Sequence, residues 1–269
     1  MVLLDDVLRD LEAESEALDR LVSGLSPDRW SRPTPAPGWS VAHQIAHLHW
    51  TDGMATLANA DPAGFIARLS ETLEDPKAFV DRAAAAGVAP PDEMLSRWRA
   101  GRAALVAALT AVPAGEKRPW FGTAMSPLSS ATGRIMETWA HGRDIAETFP
   151  DDERAREHLR PTARLRHVAH IGFRTIGHGF ESHGRSAPAA PFRVELDAPD
   201  GSVWAFGPGD APNRVNGPAL DFCLLVTQRR HPADLALQAT GDDAAAWLSL
   251  AQAFAGPPGA GREPRAAAR

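Results

Sequence analysis

Met136-Glu137-Thr138-Trp139-Ala140-His141-Gly142-Arg143-Asp144 lies near the end of a stretch with helical periodicity, and its reading decides the fold. Glu137 and His141 are four residues apart, so on a helix they stand one turn above the other and can address one object. A carboxylate and an imidazole that converge in this way suit a divalent metal. A catalytic zinc, however, usually takes three protein ligands and keeps one position open, so a third ligand must come from another element. Trp39-Ser40-Val41-Ala42-His43-Gln44-Ile45-Ala46-His47-Leu48-His49, about ninety residues upstream, offers three histidines. Steps of four align on a helix and steps of two do not, so His43 and His47 share a face while His49 points elsewhere. Residue type alone does not choose among them.

Working outward, Leu4, Val7, Leu8, Leu11, Leu18, Leu21 and Val22 recur at helical spacing over residues 3–24. The run from Trp30 to Gly38 is too rich in proline to be anything but an ordered loop. Ser40 then caps a helix from about Val41 to Ala58. Weaker helical segments surround Phe65 to Leu73 and Phe79 to Ala86, and Pro91-Asp92-Glu93 opens a helix through Leu95, Trp98, Leu105, Val106 and Leu109. Residues 113–127 read as a loop, after which Ser129 or Thr132 starts the helix that carries Glu137 and His141. Four long helices with loops between them predict an antiparallel bundle, whose centre is a usual place for metal sites.

Beyond residue 150 a helix is expected over Thr162 to Phe180, and then the period changes. Phe192 to Asp197 and Val203 to Phe206 alternate as strands do, around the turn residues Pro199-Asp200-Gly201-Ser202. Gly217 to Thr227 reads as a helix, Leu235 to Ala239 as a third strand, and Ala244 to Phe254 as a closing helix. The expected fold is therefore α+β. A four-helix bundle spans 1–152, a connecting helix 153–187, a small α+β domain 188–256 and a disordered tail 257–269.

The composition narrows the function. A hydrophobic fraction of 44% and a charged fraction of 23% belong to a globular protein. The net charge of -6 argues against a nucleic-acid surface, which needs clustered Lys and Arg. No stretch approaches the roughly 20 uninterrupted apolar residues of a membrane span. The start lacks the basic and apolar regions of an export signal, and with Cys223 as the single cysteine no intramolecular disulfide can form, so a cytoplasmic location is expected. Cys223 sits in a strongly apolar helix and reads as a buried thiol, not a nucleophile. Dinucleotide, phosphate-loop and serine-elbow motifs are absent, and a small-molecule partner is expected.

Gly38-Trp39-Ser40-Val41 followed by Ile45-Ala46-His47-Leu48, with Glu137-Thr138-Trp139-Ala140-His141-Gly142-Arg143-Asp144 later, resembles the two metal-binding motifs of the DinB-like bundle superfamily. More closely it resembles the N-terminal domain of mycothiol-dependent maleylpyruvate isomerase and its relatives. The resemblance spans about residues 4–150, and the small second domain is also similar through Asp221 to Arg229 and Gly241-Asp242-Asp243. It implies that His47, Glu137 and His141 hold a divalent metal, usually zinc, with mycothiol as a possible cosubstrate. It also implies an active-site arginine at the end of the second domain's first helix, matched by Arg229 with Arg230 adjacent. There a planar guanidinium could clamp a carboxylate, or cations could simply stabilise a helix end. Family members carry Gly before this Arg, whereas this chain has Gln228.

Asp144 is read either as orienting a ligand or as one half of a surface ion pair with Arg143 or Arg134, and Asp52 is a similar case. Trp30, Trp39, Trp98 and Trp139 are read first as core. The expected activity is that of a metal-dependent, thiol-using isomerase or S-transferase acting on a small electrophile that bears a carboxylate. The alternatives are a hydrolase or lyase that uses metal-bound water, and a non-catalytic binder of metal or small molecules.

Overall fold

Two compact units, Met1–Arg160 and Pro161–Arg269, make up the computed structural model, which describes residues 3–70, 76–256 and 258–265. In the first unit, helix α1 (Leu4–Val22) buries the stripe Val7, Leu8, Leu11, Leu18, Leu21 and Val22, as its spacing requires. Helices α2 (Val41–Ala60), α3 (Pro62–Ser70), α4 (Pro76–Ala86) and α5 (Pro91–Thr110) follow. A hairpin of β1 (Arg118–Trp120) and β2 (Thr123–Met125) precedes α6 (Pro127–Glu147) and the short α7 (Glu153–His158). The long helices form the bundle, with α1 against α6 and α2 against both α5 and α6. One core layer joins Leu11, Ala55, Leu105 and Ile135 from all four of them. A second gathers Leu18, Ile45, Trp98 and Ile145. Each fully buried Leu or Ile stabilises the fold by about 1.5–3 kcal/mol, so this interior is rigid enough to carry a site.

Residues 113–127 are more ordered than a loop. Gly122 supplies the left-handed turn at φ 76°, and Trp120 and Phe121 pack on the buried ring of Phe65, with centroids 5.8 and 5.7 Å away. Helix α6 starts at Pro127, earlier than Ser129 or Thr132. The Ser126 hydroxyl accepts the Ser129 N–H at 3.2 Å, a cap worth about 1 kcal/mol, and proline is tolerated at the first helical position.

The segment 153–187, expected as one connecting helix, is three. The first, α7, packs on α1 and α6. In the second unit α8 (Leu165–Arg174) packs on α10 (Ala219–Val226), and α9 (Ile176–Glu181) follows a break at Thr175, whose hydroxyl donates to the Ile171 carbonyl. The sheet runs in the order β4-β3-β5-β6, built from β3 (Phe192–Asp197), β4 (Val203–Phe206), β5 (Asn213–Pro218) and β6 (Gln238–Thr240). The hairpin pairs β3 with β4 as expected, while β5, whose last two residues fall within the expected helix Gly217 to Thr227, pairs parallel to β3. Strand β3 turns Phe192, Val194 and Leu196 inward beneath α10 and α11 (Asp242–Trp247). The closing helix thus ends at Trp247, short of Phe254, and the third strand starts at Gln238, later than Leu235. Among the described residues beyond 257, Arg265 donates its backbone N–H to Asp234 at 2.9 Å.

Helix α10 ends in a Schellman pair, with Arg229 N–H donating to Leu224 O at 2.8 Å and Gln228 N–H to Leu225 O at 2.9 Å. The residue just after the C-cap Thr227 needs a positive φ that glycine normally supplies. Here Gln228 adopts it at 56°, held by a hydrogen bond that its side-chain Nε2 donates to the Ala251 carbonyl at 3.3 Å.

Candidate metal centre

The i, i+4 spacing on α6 and one side chain from α2 bring His47, Glu137 and His141 together, with ligand atoms all within 4.8 Å of one another. His47 Nε2 lies 3.2 Å and His141 Nε2 3.3 Å from the same oxygen, Oε2 of Glu137. Metal–ligand lengths of about 2.0–2.1 Å at tetrahedral angles place ligand atoms about 3.3 Å apart, so the donor set has the right spacing for zinc. Its charge is right as well. An ionised carboxylate oxygen only accepts, so with no metal present an imidazole must turn a protonated nitrogen toward Oε2, and a bound cation would take the place of those protons. Burial alone would push the Glu137 carboxyl up. Hydrogen bonds from His141 and His47, with the charges of His141 and Arg134, overcome it and hold Glu137 well below the usual carboxylate range. Glu137 is thus an anion at neutral pH, ready for a cation.

The other two histidines of the first motif are used elsewhere. His43 Nδ1 lies 2.8 Å from the Ser40 hydroxyl and accepts the Ser40 backbone N–H at 3.3 Å, which makes it part of the α2 cap. His49 faces α5 beside Gly101, and burial lowers its pKa. On α6, Asp144 is buried, so it is not a surface ion pair, and Arg143 bonds Glu147 at 3.0 Å. Asp52 is buried too and pairs with buried Arg134 at 2.9 Å. Arg134 also donates to Thr51 at 2.6 Å, and its charge reaches Glu137 one turn away. Arg229 lies in the other unit, where its Nη1 donates to the Thr227 carbonyl at 2.8 Å. Burial pushes the Cys223 thiol up, and its Sγ lies 3.5 Å from the Leu165 carbonyl, so it is not a nucleophile.

Aromatic rings wall the centre. Trp39 is not core: half-buried, it stacks on His141 at 5.8 Å and 17°, leans on His47 at 5.1 Å, and donates its indole N–H to Asp81 at 2.9 Å. Trp50 stands 5.9 Å from His47 with Phe79 behind it. Sequence reasoning missed Gln44, which is fully buried, bonds His141 Nδ1 through Oε1 and donates from Nε2 to Thr34 at 2.8 Å. A glutamine on an apolar helix face carries no motif, and only the fold shows what lies on either side of it.

A family model described as the mycothiol maleylpyruvate isomerase N-terminal domain matches residues 11–146, half of the chain. A second, described as wyosine base formation, matches residues 188–240. Uncharacterized proteins of Mycobacterium tuberculosis strains CDC 1551 / Oshkosh and ATCC 25618 / H37Rv are each 51% identical over 255 residues, 94% of this chain and 96% of theirs. A crystal structure of the mycothiol-dependent maleylpyruvate isomerase shares the fold, with a TM-score of 0.59 at 17% identity over 88% of this chain and 93% of that one. A histidine-to-alanine mutant of that isomerase gives a TM-score of 0.57 at the same identity and coverage. At that identity the likeness is one of fold. No helix among the described residues is long and apolar enough to cross a membrane.

Proposed function

The chain belongs to the mycothiol maleylpyruvate isomerase N-terminal domain family, and from that premise we propose that it is a metal-dependent enzyme that uses a low-molecular-weight thiol, mycothiol first, against a small electrophile bearing a carboxylate. The observation that carries this reading is the convergence of two imidazole nitrogens on one oxygen of a half-buried, ionised Glu137. His47, Glu137 and His141 would hold the metal, with zinc the first candidate. When bound, such a metal supplies the positive charge that keeps a thiol ionised near neutral pH.

The chain's own residues do the rest. Glu137 offsets one unit of the cation's charge, and the two neutral imidazoles leave the centre net positive, which favours an anionic partner. The indole rings of Trp39 and Trp50 exclude water from one side of the histidines. Dry surroundings strengthen every charge interaction made there. Arg229 is the proposed carboxylate clamp, since a planar guanidinium matches two oxygens at once, and its backbone is fixed by the Schellman pair that ends α10. The thiolate adds to an activated double bond and leaves an enolate; after rotation about the resulting single bond the enolate expels the thiolate, which gives the isomerised alkene. Where the enolate instead takes a proton from water, the adduct is kept as a thioether and the activity is a transfer.

The sheet covered by the second family match presents Arg193 and Arg214 already paired with Glu195, at 3.1 and 2.6 Å. The single Glu195 carboxylate offsets one of those two guanidinium charges.

The test is demetallation. Chelator-treated protein should lose thiol-dependent turnover of an α,β-unsaturated dicarboxylate and regain it with zinc. R229A should raise KM for that substrate more than R230A does. Full activity in metal-free protein would overturn the proposal.

A further inference from the structure

We propose that Thr34 and Gln44 form a one-way hydrogen-bond relay that fixes which nitrogen of His141 carries the proton, which makes both of them positioning residues for the metal centre. This rests on the metal reading above, and it concerns residues that make no part of the ligand set.

The relay starts at a backbone carbonyl. Trp39 O can only accept, and the Thr34 hydroxyl 2.9 Å away must donate its single hydrogen to it. Thr34 Oγ1 can then only accept from Gln44, 2.8 Å away, so the nitrogen of the Gln44 amide faces it. That leaves the amide oxygen toward His141 Nδ1, and an amide oxygen only accepts. Nδ1 therefore carries the proton, and in the neutral ring the lone pair sits on Nε2, the atom that faces Glu137. Each link removes one choice from the next. Gln44 is fully buried, so water is not at hand to replace a mismatched partner if the amide turns over.

The proline-rich loop sets the origin. Trp39 N–H bonds back to Ala36 O at 3.0 Å around Pro37 and Gly38, whose φ of 79° gives the pattern of a type II turn. Pro33 and Ser40 pair across the loop, and the Thr34 N–H reaches Trp39 O at 2.8 Å. Thr34 is thus held at both its backbone and its hydroxyl. His47 contrasts with this arrangement: its Nδ1 is buried with no hydrogen-bond partner among the described residues. One ligand is oriented through the chain fold and the other is not.

Two measurements test the relay. Long-range 1H–15N spectra of metal-free protein, at a pH where the ring is neutral, should show His141 as the Nδ1–H tautomer. An Nε2–H tautomer there would overturn the relay, whatever the metal does. Zinc affinity, by competition with a chromophoric chelator, should fall about 10–100-fold in T34V, which keeps the shape but lacks the hydroxyl. T34S should match the parent protein, and Q44E, whose carboxylate still accepts from Nδ1, should bind zinc more tightly than Q44L does. Equal affinity for T34V and the parent protein, or T34S as weak as T34V, would overturn the relay. Failure of the parent protein to bind zinc at all would instead sink the metal reading, while the tautomer spectrum still judges the relay.

Discussion

Replacing Glu137 with glutamine keeps the side chain's shape and removes its charge, and it should abolish zinc-dependent stabilisation while leaving the bundle folded. Ligand atoms 3.2 and 3.3 Å apart place a central ion about 2 Å from Oε2. Even at the dielectric of bulk water, a doubly charged ion and a carboxylate at that distance attract by about 4 kcal/mol, so loss of the charge weakens binding about a thousandfold. With free zinc at 100 times its dissociation constant, the parent protein gains about 2.7 kcal/mol. For a unit the size of Met1–Arg160 that is a rise of about 5–10 °C in unfolding temperature. At the same zinc concentration E137Q would be about one-tenth saturated and gain less than about 0.1 kcal/mol, a shift too small to see. The assay is thermal unfolding by circular dichroism with zinc or with chelator. An E137Q protein that shows the parent's full zinc shift would refute the reasoning, because the charge would then not be part of the site.

Other predictions concern packing and pH. A methyl group on Gly172 would meet Phe222 and Val226 side chains at 2.8 Å in a fully buried contact, so G172A should destabilise the second unit by about 1–3 kcal/mol in urea unfolding. Gly133 has nothing closer than 3.9 Å, so G133A should instead stabilise α6 by about 0.5–1 kcal/mol. Cys223 should resist alkylation in the folded protein and react on unfolding, as read by mass spectrometry, because it is buried and its thiol pKa is raised. Hydrogen bonding to Arg99, with the charges of Arg102 and Arg99, holds the Asp19 carboxyl below its ordinary value. A depressed carboxylate contributes stability above its unfolded value of about 3.9 that is lost as pH falls through the folded value. D19N should therefore be less stable than the parent near pH 7, with the gap closing below about pH 4 in denaturant titrations.

The parts of the molecule that repeat were legible in the sequence, and the parts that depend on distant partners were not. Helix α1 announces itself because its apolar residues return every three or four positions, and Glu137 with His141 because a helix turns in 3.6 residues. The β1–β2 hairpin escaped because three-residue strands give no period, and Trp120 and Phe121 acquire a meaning only against Phe65. Strand β5, Asn213–Pro218, escaped because its outward residues are polar and it ends in Gly217-Pro218. Its place is set by parallel pairing with β3, a nonlocal choice. The α6 start was misplaced because Ser126 before Pro127 looks like the end of a loop until the capping bond to Ser129 is seen. Trp39 was assigned to the core by type, whereas the turn at Pro37 and Gly38 swings it over His141.

His47 and Glu137 stand 90 residues apart in the chain and 3.2 Å apart in the fold. That separation sets an order in time. On a ribosome adding about 5–20 residues per second, roughly 5–20 s pass between the synthesis of the first ligand and the second. During that interval α2 presents His47 without Glu137 or His141, and a captured ion would have to be held by water or by the wrong residues. On the proposed metal reading, loading therefore belongs to the finished bundle rather than to the growing chain, and the cell would supply the ion to a protein that has already folded.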